Sequence, residues 1–309
     1  MSFNTLCGLF GKTRQGYYKQ DNAVQNMFIE EEIILGAVKQ IRRKAKTTRW
    51  GGRKLQDLLN KELAAINIGI GRDKLFDLLR ANHMLVRSRK RKYFTTQSHH
   101  WLRKYDNLIQ DKVITQPNQL WVADITYVKS NSTVYFLYLI TDAYSQKIVG
   151  WNLSLDLKAA SAEVALETAI NDNKSKLEGL IHHSDRGVQY CCADYVKMLD
   201  KNSIAISMTK PASPQENAMA ERVNGILKDE WLYDLDVETV KEGRKKTKEV
   251  IGIYNDYRPH NTLKNQTPNQ IHDLGFLRHK AERIIGKTYR YKKRAIKNDG
   301  SLKSDNAIG

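Results

Sequence analysis

Apolar and polar positions follow two different periods along this chain, and the change of period divides it. From 22 to 45 the residues Met27, Ile33, Ile34, Ala37, Val38 and Ile41 recur at helical spacing. Leu55, Leu58, Leu59 and Leu63 predict a second helix, Ile66 to Gly71 breaks it, and Leu75, Leu78 and Leu79 predict a third. Residues 1 to about 20 carry Gly8, Gly11 and Gly16 and read as a short helix-turn lead. From about 117 the pattern changes to strands: WVADITYV, VYFLYLITDAYS and KIVGWNLSL. Then come the helix KAASAEVALETAI, the strand GLIHHSD, the helix ADYVKMLDKN, the short strand IAISMTK and a helix containing AMAERVNGILKDE. This order, running to about 233, predicts a mixed α/β domain. Residues 236 to 257 form another helical stretch that Pro259 ends, and Thr267-Pro268-Asn269-Gln270 caps a short one.

Three carboxylates stand out against this pattern. Asp124 lies in WVADITYV, a run apolar on both faces, as in a central strand. An ionised Asp there is costly unless something offsets its desolvation, and a metal ion is one solution. Asp185 ends LEGLIHHSD in the same way, with Arg186-Gly187 as a turn. Glu221 lies on the later helix, with thirty-five residues between it and Asp185 and Lys228 two turns beyond it. Drawn together, the three acids make an oxygen-ligand site suited to Mg²⁺. Ser213-Pro214-Gln215-Glu216 reads as the capping box of that helix. At 100° per residue Met219, Val223, Ile226 and Leu227 form its apolar stripe, while Asn217, Glu221, Gly225 and Lys228 share the opposite side.

Charge narrows the partner. The net charge of +17 and pI near 9.6 point to a polyanion, nucleic acid first. No apolar run approaches a membrane span, and no signal peptide, lipidation motif or amphipathic anchor favours a membrane partner. The expected location is cytoplasmic, on the nucleoid. Cys7, Cys191 and Cys192 make neither a disulfide framework nor a zinc site. Lys39 to Lys54 holds eight Lys or Arg and no acid. Arg87, Arg89, Lys90, Arg91 and Lys92 form a denser run, a linker or a phosphate-contacting arm. Tyr93, Phe94 and Trp101 follow, to pack or to stack on DNA. The two leucine-rich helices fit a helix-turn-helix with Arg72, Asp73, Lys74 and Asp77 toward the groove; a plain helical hairpin fits the pattern equally. The expected division is a helical DNA-binding region at 1–86, a basic linker at 87–115, the α/β core at 116–275, and a basic tail at 276–309 that becomes polar and disordered beyond Asn298.

Taken together these blocks resemble the DDE transposases and retroviral integrases, and most closely the second-frame protein of the IS-three family of insertion sequences. LCGLFGKTRQGYYK is similar to that family's usual beginning, and RWGGRKLQDLL with GRDKLFDLLRANHMLVRSRKRK to its helix-turn-helix segment. PNQLWVADITYV, HHSDRGVQY, AERVNGILKDE and YNDYRPHNTLKNQTP resemble its core blocks, so the likeness covers roughly residues 4 to 275. Glu216-Asn217 replaces the more usual Asp-Asn, and Trp50 a more usual Tyr. The resemblance implies an RNase H-like core and two Mg²⁺ ions, replaceable by Mn²⁺, on Asp124, Asp185 and Glu221. It implies cleavage and joining of terminal inverted repeats by copy-out chemistry, and a homo-oligomer on duplex DNA. It also implies an upstream-frame protein fused by frameshifting. Lys228 and Asn217 are candidates to hold the terminal phosphate or bases. Arg258 and His260 are candidates to approach DNA or the Glu221 helix, or to form a helix terminator with a structural ion pair. An RNase H-type nuclease and a non-catalytic DNA-binding regulator are the alternatives.

Overall fold

The computed structural model describes residues 2–87, 101–110, 112–130, 133–210 and 218–281. Arg89, Lys90, Arg91, Lys92, Tyr93, Phe94, Asn217, the capping box at 213–216 and the tail from 282 lie outside the described residues, while 276–281, expected to begin the tail, continue a helix that starts at Pro268.

Among the described residues five strands form one mixed sheet. They are β1 (Leu120–Lys129), β2 (Val134–Asp142), β3 (Ile148–Ser154), β4 (Ile181–Ser184) and β5 (Ala205–Met208), in the order β3-β2-β1-β4-β5. β1, β2 and β3 are antiparallel neighbours, and β4 and β5 add in parallel. Helices α5 (Ala159–Asn173), α6 (Val188–Cys191) and α7 (Ala193–Lys201) connect them, and α8 (Ala218–Glu230) follows. Three antiparallel strands with two parallel additions beside β1 make this the RNase H-like arrangement.

The faces of the sheet follow from the two-residue period of its strands. Trp121, Ala123, Tyr138 and Ile140 pack under α5 and α7 with Leu166 and Leu199. α5 lies so close that a Cβ on Gly150 of β3 would stand 2.3 Å from the Ala165 carbonyl oxygen, so only glycine fits. The other face carries Val128, Leu137, Leu139 and Leu153, which pack with Val223 and Leu227 of α8 and Val250, Ile251 and Tyr254 of α9 (Val240–Asp256).

The N-terminal helices are α1 (Phe3–Leu9), α2 (Arg14–Lys44), α3 (Gly52–Glu62) and α4 (Arg72–Ala81). Leu55, Leu59, Leu63, Leu75, Leu78 and Leu79 are buried where the periodicity places them, Leu58 partly, but in the same cluster as the second sheet face; Leu6 and Leu9 of α1 are exposed. The region 1–86 therefore shares a core with residues of 116–275. α2 starts at Arg14 rather than near 22, because Thr13 caps it through its hydroxyl (Gly16 N–H, 3.1 Å). The turn before it uses Gly11 at φ 65°. The connection 63–71 between α3 and α4 is longer than the three- or four-residue turn of a compact helix-turn-helix.

The expected linker 87–115 is not a free hinge over its second half. The Leu108 amide donates to Ser207 Oγ at 2.9 Å, the Met208 amide to the Asp106 carbonyl at 3.2 Å, and Ile109 and Ile114 are buried. Trp101 is 92% exposed and does not pack. Thr267 and Gln270 exchange the two bonds of a capping box at the start of α10 (Pro268–Ala281), as the sequence predicts. No helix among the described residues is long and apolar enough to cross a membrane.

Candidate active site

β1 and β4 run parallel in register, with Ala123 beside Ser184. Asp185 directly follows the last paired residue of β4, and its charge acts on Asp124. Strand alternation turns Asp124 toward the face that holds Leu120 and Val122, the face where Ala220 of α8 packs. α8 completes the group: Asn224 donates from Nδ2 to Asp124 Oδ2 at 2.7 Å. Glu221 precedes Asn224 by one turn, so it stands on the same side of the helix.

Backbone amides fix the two Asp side chains. Ile125 N–H donates to Asp124 Oδ1 at 3.0 Å, and Gly187 N–H to Asp185 Oδ1 at 2.9 Å. Burial and then the negative charge of Asp185 push the Asp124 carboxyl up to about 7, with Glu221 adding in the same direction. The Asn224 and Ile125 hydrogen bonds oppose them. Tyr190, buried beneath, is raised by burial and by the charges of Asp185 and Asp124. Burial and neighbouring carboxylate charge thus both disfavour an ionised Asp124, an imbalance that the two hydrogen bonds offset only in part.

That imbalance, and a donor set of carboxylate oxygens only, fit a hard divalent cation. Among the described residues no three His, Cys, Asp or Glu side chains stand close enough to enclose an ion. Glu221 is exposed on the first turn of α8. The three acids thus share a face without closing on it.

The remaining candidate residues divide sharply. Lys228 stands 5.9 Å above the Tyr127 ring; burial lowers its ammonium pKa and the charge of Asp124 raises it, which places Lys228 beside the acids. Arg72 and Lys74 are exposed at the start of α4, with Arg72 Nε bonded to Asp73 Oδ1 at 2.8 Å; Arg87 is exposed as well. Asp77 pairs with Arg80.

Assignment of Arg258 and His260 to DNA contact needs correction for Arg258. It is 5% exposed and donates from Nε and Nη2 to the two Glu230 carboxylate oxygens at 2.8 and 2.7 Å. Lys54 of α3 donates to the same carboxylate at 2.9 Å. Burial pushes the Glu230 carboxyl up, but Arg258 and Lys54 outweigh it and hold the pKa below the ordinary value. The Arg258 guanidinium is thus committed to the end of the Glu221 helix. His260 is also buried, edge-on to Tyr254 at 4.9 Å.

The sequence reading missed Asn224, Glu230 and Lys54. Asn224 was legible, since it follows Glu221 by three on one helix side. On α8 the buried apolar residues are Ala220, Val223 and Leu227; Met219 and Ile226 are only partly buried. Trp50 packs edge-on to Trp231 at 6.3 Å and against Tyr257 at 5.4 Å, and the Trp231 indole donates to the Ala45 carbonyl at 2.8 Å.

Residues 114–214 match the family model described as Integrase core domain, and 202–268 match a second model of that description. The chain is 33% identical over 267 residues to the IS600 insertion element uncharacterized 31 kDa protein of Shigella sonnei, across 85% of this chain and 96% of that one. It is 26% identical over 289 residues to the InsF transposase of insertion sequence IS3A from Escherichia coli K12, across 87% and 93%. Among solved structures, the simian T-cell lymphotropic virus intasome aligns with a TM-score of 0.45 at 19% identity, covering 70% of each chain. The magnesium complex of the HTLV-2 integrase catalytic core aligns at 0.41 and 21%, covering 51% of this chain and 97% of that one.

Proposed function

The chain belongs to the IS-three family of insertion-sequence transposases, built on an integrase-type core, and we propose that it cuts and joins the ends of its element with Asp124, Asp185 and Glu221 as the catalytic acids. The observation that carries this reading is the hydrogen bond from Asn224 of the Glu221 helix to Asp124, on a strand whose parallel neighbour β4 leads directly into Asp185.

The three carboxylates would hold two Mg²⁺ ions, for which Mn²⁺ can substitute. When bound, the ions supply activation of water or a DNA 3′-hydroxyl and stabilisation of the leaving oxygen in an in-line displacement. Asn224 holds the Asp124 carboxylate in one orientation, and the Ile125 and Gly187 amides do the same for Asp124 and Asp185. Lys228, whose ammonium feels the charge of Asp124, would meet a phosphate there. Hydrolysis frees a 3′-hydroxyl at the element's end, and that hydroxyl attacks a second phosphodiester. No covalent protein intermediate is required. α4 would present Arg72 and Lys74 to terminal-repeat duplex DNA, and two ends held together call for at least two protomers.

The test is a cleavage and joining assay on a supercoiled plasmid with the element's terminal repeats, in Mg²⁺ and in Mn²⁺. Joined products from the wild type, absent from Asp124→Asn, are expected. Nicking without joining would point instead to an RNase H-type nuclease, and end binding without any reaction to a regulator.

A further inference from the structure

α3 begins without a side-chain cap. Gly51 is its N-cap residue, in extended backbone at φ −76° and ψ 164°. The amides of Gly52 and Arg53 are therefore left to acceptors outside the helix. This end of the helix opens on a cleft of about 830 Å³ that runs past Glu221. Arg53 and Arg222 line the cleft, both exposed, and neither pairs with a carboxylate among the described residues. His260 lines it as well. It is 3% exposed, and its Nε2 has no hydrogen-bond partner among the described residues. The Glu230 carboxylate on the same wall is taken up by Arg258 and Lys54.

We propose that this cleft seats a phosphodiester of the DNA strand that reacts at Glu221, on the α3 N-terminus between Arg53, Arg222 and His260. The inference rests on the reading of the chain as a transposase. A helix N-terminus favours an anion through its free amides and its dipole. Two uncommitted guanidinium groups supply the charge that a phosphodiester needs. His260 Nε2, buried in a residue of the cleft wall and without a partner among the described residues, is a polar group that the same ligand would satisfy on reaching it. The Lys54–Glu230–Arg258 cluster ties α3 to the end of α8. The phosphate seat is thereby held at a fixed displacement from Glu221, so the site registers the strand rather than reading its sequence.

Gly51→Asp tests this without weakening the fold. No neighbour lies within 4 Å of a Cβ there, and an Asp N-cap stabilises a helix while filling the anion seat with its own carboxylate. Gly36→Asp, at an equally open position on α2, is the control for added charge. Binding to terminal-repeat duplex is measured by fluorescence anisotropy in EDTA, across a series of salt concentrations. Gly51→Asp should keep or raise the melting temperature, bind DNA more weakly than Gly36→Asp, and lower the log K against log salt slope by about one. The double variant Arg53→Ala/Arg222→Ala should lower it by about two. A stable Gly51→Asp that binds with the affinity and slope of Gly36→Asp overturns the subsite while leaving the transposase reading in place. A wild type that neither binds nor joins DNA ends overturns that reading, and this inference with it. Inorganic phosphate is the second probe. If it stabilises the wild type and not Gly51→Asp, while DNA binding is the same in both, the seat belongs to free phosphate and the proposal fails.

Discussion

Replacing Arg258 by Met separates a structural role from a DNA contact. The guanidinium and the Glu230 carboxylate are 5% and 8% exposed and joined by two hydrogen bonds of 2.8 and 2.7 Å. Removing one partner of such a buried pair costs about 3–5 kcal/mol, because the other charge remains buried without it. Lys54 stays bonded to Glu230 at 2.9 Å, so the expected loss lies at the lower end, about 3 kcal/mol. Glu230→Gln should cost a similar amount, and the double variant less than the sum of the two. Urea unfolding followed by tryptophan fluorescence reads this directly, since Trp50 and Trp231 stand at the joint. The pair also sets a pH dependence. The Glu230 carboxyl is held below its ordinary value, so its stabilisation is present above the unfolded pKa and is lost as pH falls through the folded one. A loss under about 1 kcal/mol, together with weakened DNA binding, would refute this reasoning and return Arg258 to the nucleic-acid surface.

Asp124→Asn should abolish cleavage and spare DNA binding; joining at the wild-type rate would remove Asp124 from the catalytic group. Asn224→Ala should lower nicking by about 10–100-fold and shift activity to higher Mg²⁺, as loss of an outer partner of a metal ligand does; unchanged metal dependence would count against it. Burial first, and then the charge of His183, depress His182 to about 3. The unfolded chain takes that proton first, so stability should fall as pH drops from about 6.5 toward 3, by up to about 1.4 kcal/mol per pH unit. A His182→Gln variant should show a shallower slope in urea titrations over that range; an equal slope contradicts the assignment. Gly150→Ala should cost about 1–3 kcal/mol by forcing α5 off β3, and a neutral result would mean that the helix shifts freely.

Much of this molecule was legible in one dimension. The strands came out within a few residues because β1 to β3 are runs of β-branched and aromatic residues, flanked by turns. The leucines of α3 and α4 are buried as their spacing requires, except Leu58, which is only partly buried. Misplacements arose where a single side chain decided a boundary, as Thr13 does for α2. The residues and the resemblance pointed to three candidate acids; in the fold Asp124 lies within β1 and Asp185 directly follows β4, the parallel neighbour of β1.

What the sequence determined by itself was periodicity, charge and the set of candidate acids, because each is fixed by local spacing or by residue type. What only the tertiary structure decided were pairings between distant segments. Asn224 meets Asp124 across a hundred residues, and Arg258 meets Glu230 while Lys54 reaches it from the N-terminal helices. Nothing in the local pattern marks Glu230 as buried, since a charged residue at a helix end is ordinarily solvated. Its burial follows from where α3 and the segment after α9 happen to close over α8. For the same reason the N-terminal helices, which read as a separate region, share their apolar core with the sheet. Each amphipathic helix declares that it has a face to bury, but its partner is chosen only when the chain packs.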